Sequence, residues 1–174
     1  MKRTISIAVT VAGLAGGLLA ALLLTIAPTQ ALPAWTTSNS SFTSTMPGTR
    51  LVTDLRFATH PGFDRVVIAF TGRTPSWRAT YHHRFFRDGS GAPVPIRGGL
   101  QLTLMPAQAH DNAGHNIYTG PRLVRPGFPT LKAIAMTGDF EGVVTFAFGL
   151  SPERAPYRIF VLHSPQRIVV DFKH

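Results

Sequence analysis

The last eighteen residues of the chain, YRIFVLHSPQRIVVDFKH, constrain its fold most, because they have the pattern of two strands joined by a tight turn. The runs 157–162 and 167–172 are rich in β-branched and aromatic residues, and a proline in the turn between them fixes φ. Successive side chains of a strand point to opposite faces, so the second run has an apolar face that requires a core and a face that carries charge. The apolar set is Ile168, Val170 and Phe172, and the charged set is Arg167 and Asp171.

Short apolar runs between turn residues continue through the whole region from residue 50 to the end. From residue 32 onward the chain holds 13 Gly and 13 Pro, which is too many for long helices. Short apolar runs separated by turn residues predict an all-β domain, either a sandwich or a barrel. The run 64–71 is predicted to be a central strand because it is apolar on both faces. The predicted core phenylalanines are Phe63, Phe70, Phe146, Phe148 and Phe172. The predicted strands are 51–58, 64–71, 76–83, 100–105, 131–137, 143–150, 157–162 and 167–172.

The first 31 residues have the pattern of a secretory signal peptide. Lys2 and Arg3 precede 23 uncharged residues, and small residues then stand at the two positions that would define cleavage after Ala31. Because the uncharged run is also long enough to span a bilayer, an uncleaved anchor is the alternative. The Ser-, Thr- and Pro-rich residues 32–49 are predicted to be a flexible linker that leads to one domain at 50–174.

Charge and cysteine content narrow the range of partners. The chain has no cysteine, which excludes disulfides, thiol chemistry and lipid attachment through a thiol. From residue 32 onward fifteen Lys and Arg face eight Asp and Glu, and 13 of the fifteen are arginine. Guanidinium groups suit carboxylates and phosphates, and for an exported chain these predict anionic envelope polymers or lipid headgroups as partners, and not nucleic acid. An arginine-favouring codon bias explains the same excess equally well, and membrane contact is expected only through an uncleaved N-terminal segment.

No sequence motif of a known catalytic centre is present, since the chain lacks G-x-S-x-G, H-E-x-x-H and phosphate-loop patterns. The best carboxylate pair for glycoside hydrolysis is Glu141 with Asp139 or Asp171, although a turn-forming Asp and an Arg-paired Glu account for these residues better. The seven histidines match no metal-ligand spacing. We therefore predict a protein that is not an enzyme and that has neither a metal nor a cofactor.

Four charged residues lie in or beside strands that are otherwise rich in Val, Ile and Phe, where an unpaired charge is costly. They predict a semi-buried ion-pair cluster that fixes strand register, and a polar patch that grips a ligand is the alternative. The four residues are Arg65, Glu141, Arg167 and Asp171.

Four segments carry a family resemblance, and they occur in order along the chain. FDRVVIAF at 63–70 and YRIFVL with SPQRIVVD at 157–171 resemble an AMIN domain, and more closely the actinobacterial AMIN-like branch of secreted envelope proteins. The phrases GSGAPV at 89–94 and GDFEGV at 138–143 fit the same branch. The resemblance implies a β-sandwich that localises a protein in the cell envelope by binding peptidoglycan.

Together these features predict a non-catalytic, exported envelope module that binds peptidoglycan or another anionic wall polymer. The alternatives are an adaptor that binds an envelope protein by sheet-edge pairing, and a small glycan hydrolase that uses Glu141. The candidate ligand-binding residues are Arg65, Arg122, Arg125 and Arg167 for anionic groups, with Tyr81 and Tyr118 for stacking on sugar rings.

Overall fold

A computed structural model describes residues 31–174, and these residues form eleven β-strands and no helix. The predicted signal peptide lies outside the described residues, apart from Ala31. All eight predicted strands are present, and three short strands that the pattern did not predict, β1, β6 and β7, accompany them. In chain order the strands are β1 (Ser40–Phe42), β2 (Arg50–His60), β3 (Phe63–Phe70), β4 (Ser76–His82), β5 (Gly99–Met105), β6 (Ala107–Gln108), β7 (Leu123–Val124), β8 (Leu131–Phe140), β9 (Val143–Leu150), β10 (Tyr157–Leu162) and β11 (Arg167–Lys173).

The strands form two sheets that enclose one core, so the predicted all-β sandwich of two sheets is confirmed. The six-stranded sheet has the order β1-β4-β5-β9-β8-β7, and the five-stranded sheet has the order β10-β11-β3-β2-β6. Strand β3 lies in the centre of its sheet, as its two apolar faces predict. None of the described residues belongs to a helix with the length and apolarity that crossing a membrane requires.

The core follows directly from the period-2 alternation of the strands. The side chains of Leu100, Leu102 and Leu104 are fully buried, and they belong to the same cluster as those of Ile168 and Phe172 from the other sheet. Burial of each such side chain contributes about 1.5–3 kcal/mol, so the inner faces account for most of the cohesion between the sheets.

The prediction for Phe63 is wrong, whereas the other four predicted core phenylalanines are buried. Phe63 is only half-buried because it shares the outer face of β3 with Arg65, two positions along the strand. Its ring packs against the Arg65 guanidinium at 4.9 Å instead of entering the core.

Buried Asp64 joins the two sheets at one end of the core. Its Oδ2 accepts hydrogen bonds from the backbone N–H groups of Thr130 and Leu131, each at 2.8 Å. Its Oδ1 lies 2.9 Å from Nε2 of His174. A fully buried carboxylate is tolerated here because donors from three residues surround it.

The first part of the segment 32–49, for which the sequence predicts a flexible linker, lies against both sheets. We call residues 35–42 the strap. Thr36 and Tyr157 exchange two backbone hydrogen bonds of 2.9 Å at the edge of β10, and β1 then pairs with β4. The Tyr157 hydroxyl contacts the Ser38 carbonyl at 2.8 Å and the Ser40 hydroxyl at 2.6 Å. The segment needs no apolar periodicity, because backbone pairing, hydrogen bonds from side chains such as Tyr157 and Arg154, and isolated aromatic side chains hold it.

The outer face of the six-stranded sheet is covered on one half only. Phe85 and Val94, from the connection between β4 and β5, pack on Ala135 and Ala147, whose small side chains leave room for them. This covered half lies over β8 and β9. The other half, over β1, β4 and β5, carries no such layer and forms an open groove.

Candidate functional site

The predicted ion-pair cluster exists on the outer face of the five-stranded sheet, with a partly different membership. Register places Asp171 directly opposite Arg65 on one neighbouring strand and Arg158 on the other. Asp171 accepts two hydrogen bonds from Arg65, at 2.6 and 2.9 Å, and one from Nε of Arg158 at 2.8 Å. The carboxylate is fully buried beneath the two guanidinium groups. We call these three residues the Asp171 cluster.

Aromatic rings complete the surroundings of the Asp171 cluster. The Arg158 guanidinium lies 4.3 Å from the ring centre of Trp35 in the strap, and Arg65 lies 5.4 Å from that of Phe160. The hydrogen bonds to Asp171 raise the pKa of Arg65 above its ordinary value, against the opposing effect of burial. Both guanidinium groups are thus already held by a carboxylate and by rings, which indicates a structural role.

Glu141 and Arg167 do not belong to the cluster, so their predicted membership is wrong. Glu141 is exposed at the tight turn between β8 and β9, with a φ of 48° that is typical of such turns. Arg167 lies on the same outer face as Arg65, but its Nε donates to the Pro165 carbonyl in its own turn at 3.2 Å.

The two predicted stacking tyrosines have their rings engaged within the protein. Tyr118 is buried, packs against Phe146, and donates its hydroxyl hydrogen bond to the Pro121 carbonyl. Burial raises the pKa of this hydroxyl above its ordinary value. Tyr81 donates to the Ala155 carbonyl at 2.6 Å, and the Arg154 guanidinium covers its ring at 4.6 Å. Neither ring presents an open face for a sugar.

Arg122 lies beside a cleft of about 370 Å³ that also contains Asp139. Its Nη2 donates to the Asn116 side chain at 2.6 Å. Asp139 accepts from the Ala109 N–H and contacts Nδ1 of His110, each at 2.9 Å. Glu141, the predicted catalytic partner of Asp139, is not among the residues that line this cleft.

Arg125 lies in a second cleft, of about 490 Å³, where it meets two further cations. We call this the cationic cleft, and it is defined by Arg97, Arg125 and Lys132. Nη2 of Arg125 donates to the Pro95 carbonyl and Nζ of Lys132 donates to the Phe128 carbonyl, each at 2.6 Å. In the described part of the chain, none of these three cations has a carboxylate within 4.0 Å.

A single carboxylate lines the cationic cleft, and it has its own partner. Glu153 contacts Nδ1 of His83 at 2.9 Å. The three cationic heads therefore keep most of their charge and hydrogen-bonding capacity for a ligand. Backbone carbonyls orient two of the heads without neutralising them.

Sequence reasoning found Arg125 but missed Arg97, Lys132 and Arg158. A register argument identifies Arg158, because pairing Leu162 with Arg167 across the hairpin turn places Arg158 opposite Asp171. Arg97 lies in a loop and Lys132 next to a strand start, and only the folded chain brings them to Arg125. No local sequence pattern predicts that these three residues lie close together.

A family model for the AMIN-like domain matches residues 50–174. This match covers most of the chain, so the chain belongs to the AMIN-like domain family, as its motifs indicated. Membership makes it a cell-envelope-related module and indicates an exported protein. No curated protein and no solved structure matches the chain.

Proposed function

We propose that this AMIN-like domain is a non-catalytic envelope module that binds an anionic wall polymer, such as peptidoglycan, through the cationic cleft. The observation that carries the proposal is the meeting of Arg97, Arg125 and Lys132 without a carboxylate partner. Charge-assisted hydrogen bonds from such groups to carboxylates or phosphates are the strong ones, and they favour acidic polymers over neutral ones.

Comparison with the Asp171 cluster supports the assignment of the ligand to the cationic cleft. Arg65 was a candidate ligand residue, but its guanidinium is 26% exposed and already makes a two-pronged contact with a buried carboxylate. A ligand anion would have to displace Asp171, which would leave that carboxylate buried and unpaired. The cations of the cationic cleft have no such competitor.

A hydrolytic role has less support than binding. Glu141 stands on an exposed turn, and Asp139 is engaged by Ala109 and His110. A glycosidase requires one carboxyl group held as a proton donor and a second placed across the scissile bond. The described residues around Asp139 and Glu141 do not form one cleft with both groups in its lining.

An adaptor role by strand addition also has limited support. Three of the four edge strands, β1, β6 and β7, have two or three residues each, too few to hold an added strand. The longer edge strand, β10, is paired at its first residue with Thr36 of the strap. Strand addition would therefore have to use the remaining part of β10.

Co-sedimentation of residues 32–174 with isolated cell-wall sacculi across a salt series tests the proposal. These residues fold as one compact unit, so the domain can be studied without the first 31 residues. We expect retention at low salt that weakens as salt screens the charges. The triple variant Arg97→Gln, Arg125→Gln, Lys132→Gln is expected to lose about tenfold or more in affinity for each charge-assisted bond that the polymer makes to these groups, because each such bond contributes ~1.5–3 kcal/mol.

The matched control neutralises two other arginines and one lysine on exposed positions away from the cationic cleft. Arg56→Gln, Arg73→Gln, Lys173→Gln changes the net charge equally, so it should keep most of the low-salt binding. Failure of the unaltered domain to sediment with sacculi at low salt would overturn the proposal. Equal losses in the two triple variants would show a non-specific charge effect and overturn the assignment of the cationic cleft.

A further inference from the structure

The uncovered half of the six-stranded sheet forms a groove of about 610 Å³ that the cationic cleft does not include. Its floor is made by alternate, outward-pointing residues of β4 and β5, which register places side by side. Arg78 is opposite Thr103, Thr80 is opposite Gln101, and Ser76 is opposite Met105. Successive rows lie about 7 Å apart along the strands, so the floor is long enough for a chain-like ligand.

Three polar side chains at the centre of this floor are unused within the protein, whereas the hydroxyls of Thr80 and Ser76 bond to His82 and to the Ser44 N–H. In the described part of the chain, the side chains of Arg78, Gln101 and Thr103 make no hydrogen bond or ion pair. They come from adjacent strands and present guanidinium, amide and hydroxyl groups on one surface. Such a set both donates and accepts hydrogen bonds, which a ligand rich in hydroxyl and amide groups requires.

The electrostatics of the groove differ from those of the cationic cleft. One arginine and one histidine are among the lining residues, and no carboxylate is. Met105 adds an exposed apolar surface at one end. A lining that combines uncharged polar groups with apolar carbon suits the alternating hydroxyl and C–H surfaces of a sugar ring better than it suits a run of charges.

The strap supplies one wall of this groove. Ser41 lies opposite Arg78 at the sheet edge, and Ser41 and Phe42 of the strap, with Thr43 just after it, line the groove beside β4. These residues precede the segment that matches the family model, which begins at residue 50. The groove of this chain is therefore completed by residues outside the family domain.

We propose that the outer face of β1, β4 and β5 is a second binding site, for an uncharged glycan chain rich in hydroxyl and amide groups, with the strap as one wall. The inference rests on the proposed binding of a wall polymer. It assigns the acidic groups and the neutral sugars of that polymer to two different surfaces of the domain. The cationic cleft binds acidic groups of the polymer, and the groove binds its neutral sugar backbone.

A salt series distinguishes binding at the cationic cleft from binding in the groove. Contacts of the cationic cleft weaken as ionic strength rises, whereas neutral hydrogen bonds and apolar contacts in the groove persist. We therefore expect the domain 32–174 to keep a residual retention on sacculi at about 0.5 M salt, where the Debye length is under about 8 Å. The double variant Gln101→Val, Thr103→Val is expected to reduce that residual affinity about tenfold, because two hydrogen-bonding heads are lost while β-propensity is kept.

Asn112→Ala is the control for loss of an exposed side-chain amide elsewhere, and it should leave high-salt retention unchanged. A direct probe is titration with the tetrasaccharide of N-acetylglucosamine, monitored through the NMR chemical shifts of the backbone amides. Shifts concentrated on β1, β4 and β5 support the inference. A domain that begins at residue 50 should lose these shifts; the point variants keep the test valid if that shorter domain does not fold.

The outcomes distinguish failure of this inference from failure of the proposed function. Sacculus binding that is lost in the cationic-cleft variant but unchanged in Gln101→Val, Thr103→Val overturns the inference alone. A wall-derived peptide that competes for the Gln101-dependent retention, when the tetrasaccharide does not, makes the occupant a peptide and also overturns it. Absence of sacculus binding at every salt overturns the proposed function, and tetrasaccharide shifts in the groove would then support a glycan site on their own.

Discussion

The Asp171 cluster and the cationic cleft place the same kind of side chain in opposite electrostatic surroundings. In the cluster, two guanidinium groups converge on one buried carboxylate and lie against aromatic rings. In the cationic cleft, three cations meet around open space, and backbone carbonyls orient two of them. The cluster has its anion built in, whereas the cationic cleft has hydrogen-bonding capacity left for one from outside.

This difference shows that the partner that folding provides decides whether an arginine's charge is already neutralised within the protein. Arg65 and Arg125 were equal candidates for ligand binding in the sequence. Folding gives the first a partner from the last strand and gives the second only a neutral carbonyl. A charge that is already paired in a buried site mainly fixes register, and a charge without a counterion is available for recognition.

The largest expected effect comes from Asp171→Asn, which tests the structural half of the comparison. The change leaves two guanidinium groups without a counterion and turns an accepting oxygen into a donor. We expect the free energy of unfolding to fall by about 3–5 kcal/mol, the usual range when one partner of a buried pair is removed. Urea denaturation, monitored by tryptophan fluorescence, measures this change in the free energy of unfolding.

The cationic-cleft triple variant is the control for that experiment. Because its cations make no ion pairs, its unfolding free energy should change by no more than about 0.5 kcal/mol in either direction. A small loss in Asp171→Asn together with a large loss in the triple variant would reverse the assignment of the two regions.

Asp64 provides a third case, in which a buried charge is satisfied mainly by backbone donors. Burial by itself raises the pKa of Asp64, but the hydrogen bonds from Leu131, His174 and Thr130 outweigh it and leave the pKa below the usual 3.8. Because the folded pKa is the lower one, this stabilisation is complete above pH 3.8 and is lost as pH falls through the folded pKa.

Asp64→Asn is therefore expected to cost about 1–3 kcal/mol near neutral pH, because the two backbone donors on Oδ2 then face a neutral acceptor, and hydrogen bonds to a charged group are the stronger ones. The difference between the variant and the unaltered domain should shrink in acid. Thermal unfolding between pH 2 and pH 7 measures both the loss of stability near neutral pH and its decrease in acid. A difference that stays constant across this range would contradict the role given to the carboxylate.

The smallest expected effect is that of Tyr157→Phe, which removes the hydroxyl contacts to Ser38 and Ser40 in the strap. We expect a loss of about 1 kcal/mol, since a phenyl ring keeps the core packing. Amide hydrogen exchange should rise at residues 36–42 and remain unchanged in the Asp171 cluster. Unchanged exchange in the strap would mean that backbone pairing alone holds it.

The long strands were predictable because their period-2 alternation is strong, and the central place of β3 followed from its two apolar faces. The strands β1, β6 and β7 were not, because two or three residues are too few to show a periodicity. Of the predicted ion-pair cluster, Arg65 and Asp171 were correct. Glu141 was misplaced although Glu-Gly before a β-branched run is a signal for a tight turn. The cationic cleft was beyond prediction because two of its cations come from separate connections and the third from the start of β8, and only the folded chain brings them together.

The strap also affects the order in which the protein can fold. Ser40 and Tyr157 are 117 residues apart in the chain, yet their hydroxyl groups are in contact. During synthesis the strap emerges before every other described strand, and the hairpin that holds it is made last. Contacts between such distant residues form late, since closing so long a loop is entropically costly until the intervening strands are in place. The contacts of the strap with Tyr157 are therefore among the last of the domain to form.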